Sequence, residues 1–475
     1  MRNIIYFLKL AKLVSYLSII NLLYYNSPER KWNKIRKTLQ NLGPIFIKLG
    51  QTLSSRPDLI GTEPAKELAI LQDKLPAFSF QQVKKMIQKE LENPLEAIFS
   101  YFEEMPHAAA SIAQVHKAII HDGQTVAVKV LRPNIEKLFK KDINFLFWIA
   151  YFIDRNFQKA KRLKLPEIVT LLQETVKFEL DLRLEAAAAS ELQENNARHN
   201  TIYIPQVLWQ FTTEKIMTLE WVDGISVGNK EALIKAGYNL EKICQDLATS
   251  FFYQAYQDGF FHADLHPGNI IVRKEGGLAL IDFGIMGRLD HPTRLYIAEI
   301  LHAFLKRDYH RVAEIHFEAG YIPSHKSIKL FTQACRAIGE PIVGLPTNQI
   351  SVGKLLSQLF KVTATFDMEI QIDLIMLQKT TLLVEGVGMQ LSPNLNLWKL
   401  AEPWIAKWAV KNISPEARIV HSVKHFIKHF PQSVKKLRTT EVIVNHPPQH
   451  HNKINIIHIF LISLITSIFT YYIFS

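Results

Sequence analysis

Apolar residues recur along this chain at two different periods, and the change of period divides it. From Ser27 to about Phe102 they follow helical spacing, with a Gly43-Pro44 break opening the segment GPIFIKLGQTLSSR (Gly43 to Arg56). From His107 to Val130 the period shortens to two. Two β-rich runs flank the turn His121-Asp122-Gly123-Gln124, and the second ends in VAVKV. Helical spacing returns from Asn134 to Glu194. Strand-like pieces follow at Tyr203 to Val207 and Ile216 to Trp221, and from Leu233 onward the pattern is mainly helical. Two short β runs, Asn269 to Arg273 and Gly277 to Ile281, interrupt it around Lys274-Glu275-Gly276. The chain contains no internal repeat.

The ends carry a different pattern. Residues 1–26 are apolar but broken by Lys9 and Lys12, with no small-residue cleavage site behind them. That pattern suits an interfacial or docking helix better than a signal peptide. Ile454 to Phe474 reads INIIHIFLISLITSIFTYYIF, without a formal charge, and matches the ~20 residues of a bilayer-spanning helix. Lys435, Lys436, Arg438 and Lys453 precede it, so the positive-inside rule puts the body of the protein in the cytoplasm of a membrane-anchored chain. The expected organisation is an apolar N-terminal helix (1–26), a helical extension (27–102), a small β-containing lobe with inserted helices (103–222), a larger helical lobe (223–445), a polar linker (446–453) and a C-terminal transmembrane anchor (454–475).

Composition changes this picture little. Hydrophobic residues make up 48% and charged residues 21%, enough apolar surface to bury a large core. A net charge of +12 would suit an anionic membrane lipid surface or a nucleic acid. No basic stripe interleaved with aromatics accompanies it, which argues against nucleic acid. Cys244 and Cys335 stand too far apart for metal-ligand spacing and suit a reducing compartment. HPPQHHN (His446 to Asn452) reads as linker rather than as a metal site.

Candidate chemistry lies where the two periods meet. Phosphoryl transfer needs phosphates positioned, charge neutralised and a hydroxyl oriented. Lys129, at the end of a strand, can send its ammonium to the α- and β-phosphates of ATP. Glu185, on a helix, is the candidate carboxylate to hold it. The run His262-Ala263-Asp264-Leu265-His266-Pro267-Gly268-Asn269 has the spacing of a phosphoryl-transfer catalytic loop. In it Asp264 accepts or orients the attacking hydroxyl's proton, and Asn269 binds Mg²⁺. Asp282-Phe283-Gly284 follows a β-hairpin later, and Asp282 would bridge Mg²⁺ to the phosphates. None of these is specific alone. Their order and spacing together are.

A glycine-rich phosphate loop is absent. In its place stand Ala108, Ala109, Ala110, Ser111, Ile112, Ala113 and Gln114. Small side chains permit close backbone approach, though alanine tolerates positive φ less well than glycine. MTLEWVDG (Met217 to Gly224) occupies the position of the interlobe hinge, where the backbone of Glu220 to Val222 would meet the adenine edge.

The combination of KLGQ, AAASIAQVHKA, VAVKVLRP, ELDLRLEAA, HADLHPGNI and LIDFG resembles the UbiB family of atypical protein-kinase-like proteins linked to ubiquinone biosynthesis. The resemblance runs from Lys48 to Gly284. It implies an α+β, protein-kinase-like two-lobed fold, here with a helical N-terminal extension and a C-terminal transmembrane helix. It implies an ATP- and Mg²⁺-dependent kinase or ATPase at the bacterial inner membrane, with ubiquinone-biosynthesis enzymes or a quinone precursor as partners. A nucleotide-gated scaffold for those enzymes is the alternative reading. It further implies a lid in which Lys48 and Gln51, of the helical extension, fold over the active site toward Glu179 and Asp181. Such a lid favours a small or lipid-like acceptor over a peptide. The acceptor and the oligomeric state stay open.

The chain also departs from related patterns. Ala263 replaces the arginine that contacts a phosphorylated activation loop, and no Ala-Pro-Glu motif follows Gly284. Ala188 stands where the family often has asparagine. Only one convincing membrane segment is present, where two are usual.

Overall fold

The computed structural model describes residues 28–54, 64, 67–68, 77–110, 112–156, 165–343, 358, 364–368 and 372–393. The chain divides into two compact units, 1–410 and 411–475. Every described residue belongs to the first.

The helical extension comprises α1 (Pro28–Leu42) and α2 (Pro44–Ser54), separated by the expected break, where Gly43 takes φ +116°. After α3 (Phe80–Leu91) and the one-turn α4 (Leu95–Ile98), the chain turns to strand earlier than its periodicity suggested. β1 occupies Phe99–Phe102. Phe99 and Phe102 point the same way, into a core with Val83, Ile87 and Leu95, while Ser100 and Tyr101 face solvent. A register shift between Phe99 and Tyr101 breaks the alternation, so this strand shows no period of two to read.

β1 belongs to an antiparallel sheet ordered β1-β3-β4-β5, with β2 bonded to the side of β3. Its members are β2 (Ala108–Ala109), β3 (Ala113–Ile120), β4 (Thr125–Leu131) and β5 (Ile216–Glu220). β3 and β4 form the hairpin expected at His121 to Gln124, in register from Ala113 opposite Leu131 to Ile119 opposite Thr125. Ala118 and Ile120 on β3, Val126, Val128 and Val130 on β4, and Ile216 on β5 form one apolar face beneath α3. Each buried Val or Ile contributes about 1.5–3 kcal/mol to this core.

The single helical stretch expected from Asn134 to Glu194 contains three helices, α5 (Ile135–Asn156), α6 (Leu165–Glu179) and α7 (Leu182–Asn196). Asp181 ends the run between α6 and α7 by capping α7. The helical lobe begins with the short strand β6 (Gly224–Ser226), α8 (Lys230–Lys235) and α9 (Leu240–Phe252). A π-helical turn at Tyr253–Asp258 follows. Gly259 ends that turn at φ +73°, where a Cβ would sit 2.4 Å from the Leu289 carbonyl oxygen. Only glycine fits both demands.

Four short strands come next, β7 (Phe260–His262), β8 (Ile270–Arg273), β9 (Leu278–Leu280) and β10 (Met286–Arg288). β6, β8 and β9 make one small sheet, and β7 pairs with β10 in another. The remaining helices are α10 (His291–Leu305), α11 (Tyr309–Glu318), α12 (Ile328–Val343) and α13 (Ile372–Leu391).

No helix among the described residues is long and apolar enough to cross a membrane. The expected C-terminal transmembrane helix, and the membrane-anchored function and inner-membrane localisation built on it, are therefore not supported among the described residues. The two described helices of bilayer length show why length is insufficient. α5 carries Glu136, Lys137, Lys140, Lys141 and Asp142 in its first half, and α13 carries Asp373, Lys379 and Glu385. Charges inside a spanning helix are costly. The segments read as anchor (454–475), linker (446–453) and apolar N-terminal helix (1–26) lie outside the described residues.

His316 on α11 is buried, and its Nδ1–H donates to the Val312 carbonyl at 2.7 Å. Burial pushes its pKa down from 6.5 to about 4. As the pH falls below 6.5, the unfolded chain takes up a proton that the native state refuses, so stability held above that pH is progressively lost. From pH 7 to pH 5 this group should cost about 2 kcal/mol. Urea unfolding at the two pH values reads the loss, and His316→Leu should flatten it.

Candidate active site

Strand alternation delivers the first functional group. Val126, Val128 and Val130 turn into the core, so Ala127 and Lys129 face the opposite side of β4. There Lys129 lies across from Val115 on β3 and Met217 on β5. Its ammonium is 2.6 Å from Glu185 Oε1 and 3.6 Å from Asp282 Oδ1.

Glu185 is placed by the start of α7. The Asp181 carboxylate accepts from the Arg183 backbone N–H at 3.1 Å and pairs with the Arg183 guanidinium at 2.7 Å. That cap sets the helix's first residue and so the direction in which Glu185 projects. The Arg183 guanidinium holds Asp181 below the usual carboxylate range.

One ammonium thus serves two carboxylates. Burial pulls the Lys129 pKa down, but Asp282 and Glu185 outweigh it and leave the ammonium more basic than usual. Burial pushes Glu185 up; Lys129 opposes this, but nearby Asp282 adds to it. Burial would raise Asp282 too, yet Lys129 and the Gly284 N–H leave it well below its ordinary value. Asp282 keeps about half of its side-chain surface open. The Gly284 N–H donates to its Oδ1 at 3.1 Å.

The catalytic-loop residues are tied to the same centre by buried polar groups. Gln254, in the π-helical turn, accepts from the His262 N–H at 3.1 Å and donates to Ser250 Oγ at 2.9 Å. His262 Nδ1 accepts from the Asp264 N–H at 3.1 Å. Its Nε2 therefore carries the proton and donates to the Asp282 carbonyl. Burial holds the His262 pKa down, consistent with a neutral ring. One imidazole thus links the loop bearing Asp264 to the segment bearing Asp282. Asn269 donates from Nδ2 to the Asp264 carbonyl at 3.1 Å. Asp282 and Asn269 offer the hard oxygen donors that Mg²⁺ takes from protein when phosphates complete its shell.

The alanine segment forms the β2–β3 hairpin. Ala108 and Ala109 pair with Val115 and Gln114, and the Ala110 N–H donates to the Ala113 carbonyl at 2.8 Å. Arg132 fastens the turn, donating from Nη2 to the Ala110 carbonyl at 3.0 Å and from its backbone N–H to the Ile112 carbonyl at 2.7 Å. Ile112 and Ala113 are buried. Ser111 lies outside the described residues. Gln114 is not brought to the Lys129 face. Its Oε1 accepts from the Phe78 N–H at 3.0 Å, and its amide contacts His116 Nε2 at 2.8 Å. Period two puts it on the core side, because Val115 is the residue across from Lys129.

At the hinge, the Glu220 carboxylate accepts from the Tyr203 hydroxyl, and its N–H donates to the Gln206 carbonyl at 2.9 Å. The Trp221 N–H donates to the Thr125 carbonyl at 3.0 Å, closing the sheet. The Val222 N–H, next in line, makes no backbone hydrogen bond among the described residues. In the extension, Lys48 on α2 pairs with Glu179 at 3.1 Å, both side chains about nine-tenths buried. Asp181 is engaged by Arg183 instead. Gln51 belongs to α2, and its side chain lies outside the described residues.

Sequence reasoning passed over Lys379. This residue of α13 puts its Nζ 2.9 Å from Asp264 Oδ1. No local motif could announce a contact across 115 residues. The available signal was a lone lysine in the otherwise mainly apolar helix IDLIMLQKTTLLVEGVGMQL.

A strand lysine paired with a helix glutamate, a histidine-braced loop aspartate and an Asp-Phe-Gly carboxylate at the lysine are arranged as in a protein-kinase-like site. Comparison with known proteins agrees. The model of the ABC1 atypical kinase-like domain matches residues 70–316, and that of the UbiB helical domain matches residues 335–396. A protein of Marinobacter nauticus named "Probable protein kinase UbiB" is 39% identical over 436 residues, covering 90% of this chain and 80% of its own. One of the same name from Pseudomonas aeruginosa is 39% identical over 422 residues, covering 88% and 79%. A solved Rv3197–erythromycin complex from Mycobacterium tuberculosis aligns with a TM-score of 0.48 at 21% identity, covering 79% of this chain and 98% of that one. That likeness is too slight to carry an argument. The chain belongs to the UbiB family. With that membership come an ATP-dependent, atypical kinase-like enzymatic role and the use of a nucleotide and a metal.

Proposed function

We propose that this protein is a MgATP-dependent atypical kinase or ATPase supporting ubiquinone biosynthesis, with a small hydroxyl acceptor rather than a peptide. The observation that carries it is the Lys129 ammonium held between Glu185 and Asp282, with His262 joining that cluster to Asp264. In this reading Lys129 binds the α- and β-phosphates. Asp282 and Asn269 hold Mg²⁺, which would neutralise charge on the transferred phosphoryl group. Ala108, Ala109 and Ala110 cover the phosphates, and the hinge backbone from Glu220 to Val222 receives the adenine edge. Asp264 takes the proton of the attacking hydroxyl.

The acceptor class follows from the lid. The buried Lys48–Glu179 pair joins the N-terminal extension to α6, the helix that leads into the Glu185 segment. In this reading the extension is a lid that admits water, an alcohol or a phenol rather than a peptide, with Lys48, Gln51, Glu179 and Asp181 regulating access. The test is ADP release by the purified full chain with MgATP, with and without a phenolic quinone precursor. Turnover in the wild type that the phenol stimulates is expected. Nucleotide binding without turnover under every condition would sink the enzyme reading in favour of a nucleotide-gated scaffold.

A further inference from the structure

Asp264 is positioned from outside its own loop. The catalytic loop supplies no lysine beside it: the residue two positions on is His266, whose Nε2 stands 3.9 Å from Asp264 Oδ2 and whose Nδ1 accepts from the Gly268 N–H at 3.0 Å. The cation that touches the carboxylate is Lys379, 2.9 Å from Oδ1. It comes from α13, within the segment matched by the UbiB helical domain.

The helix behind Lys379 is locked. Leu377, Thr380, Thr381, Val384, Val387 and Leu391 are buried around it. Lys230 Nζ donates to the Gln390 carbonyl at 2.9 Å, tying the end of α13 to α8. Lys379 itself keeps about half of its side chain open. A half-open lysine on a rigid helix, its ammonium spent on the carboxylate of the proposed base, is a poor stability device, since exposed ion pairs contribute little. It is a good orienting device.

We propose that Lys379 is a positioning residue for phosphoryl transfer, holding Asp264 Oδ1 so that Oδ2 faces the acceptor hydroxyl. The inference rests on the kinase or ATPase reading above. In the step it serves, the acceptor oxygen bonds to the γ-phosphorus as the bond from that phosphorus to the β–γ bridging oxygen breaks. ADP leaves with the electron pair, and the acceptor's proton passes to Asp264 Oδ2. The segment bearing Lys379 thereby completes a site that the kinase-like domain holds in all other parts.

The test measures ADP release, nucleotide affinity and thermal unfolding for the full-length wild type, Lys379→Met, Lys379→Arg, Asp264→Asn and the double variant Asp264→Asn/Lys379→Met. Lys379→Met should lower kcat about tenfold to a hundredfold, as expected when a reacting group loses its orientation, with KM for ATP, nucleotide affinity and unfolding temperature unchanged. Lys379→Arg should recover part of the loss, because charge is kept while geometry changes. In the Asp264→Asn background the Lys379 substitution should cost nothing more, since it acts through the missing carboxylate. Additive losses, a kcat equal to or above the wild type in Lys379→Met, or a fall in unfolding temperature matched by lost nucleotide affinity would overturn the inference. A wild type without turnover, or Asp264→Asn as active as the wild type, would instead overturn the reading beneath it.

Discussion

Asp264→Asn should lower the kcat for ADP release by about 10²–10⁴-fold, the usual contribution of a positioned general base. Nucleotide affinity should survive, because the groups assigned to the phosphates, Lys129 and Asp282, are separate from Asp264. The fold should survive too. The Asp264 backbone makes the structural bonds, with its N–H donating to His262 Nδ1 and its carbonyl accepting from Asn269. Asparagine keeps both bonds and the side-chain volume, and loses the capacity to take a proton together with the ion pair to Lys379. A stopped-assay rate beside a fluorescent-nucleotide titration checks the split. Equal losses in both would mean that Asp264 binds nucleotide rather than acting on the acceptor.

Lys129→Met should be costly in a different way, lowering nucleotide affinity and stability together. The Lys129 and Glu185 side chains are largely buried, at 18% and 11% exposure, and removing the cation leaves Glu185 and Asp282 facing each other without compensation. Breaking a buried pair from one side costs about 3–5 kcal/mol. Lys129→Met/Glu185→Leu should recover much of that stability, since it replaces the pair rather than halving it. It should recover none of the nucleotide affinity. Urea unfolding and nucleotide titration on both variants separate the two roles, and equal recovery of both quantities would remove Lys129 from the phosphate site.

How much of this was legible differs from residue to residue. Lys129 and its facing direction follow from strand alternation in VAVKV, and the same alternation places Gln114 on the other side of the sheet. Grouping Gln114 with the phosphate-loop residues overlooked that rule. The catalytic-loop and Asp-Phe-Gly spacings were readable because each motif is local. The pairing of Lys129 with Glu185 was readable as an expectation from the helix that carries the glutamate. The role of Asp181 as the cap that aims Glu185 was not drawn from the sequence, though an aspartate four residues before it is a capping signal in its own right. The expected membrane anchor rested on length and absence of charge in Ile454 to Phe474. Among the described residues no helix meets that description, and the two of bilayer length each carry several charges.

The sequence by itself determined the local arrangement, namely which strand ends in the lysine, which loop holds Asp264 and which helix carries the glutamate. Helical and strand periods and motif spacings act over a few residues, so a linear reading captures them. Only the tertiary structure decided what meets across distance. It set Lys129 between two carboxylates and buried His262 as the link from Asp264 to Asp282. It also joined Lys48 to Glu179 and brought Lys379 to Asp264. Those contacts come from packing whole helices and sheets against one another, which no short window of residues encodes.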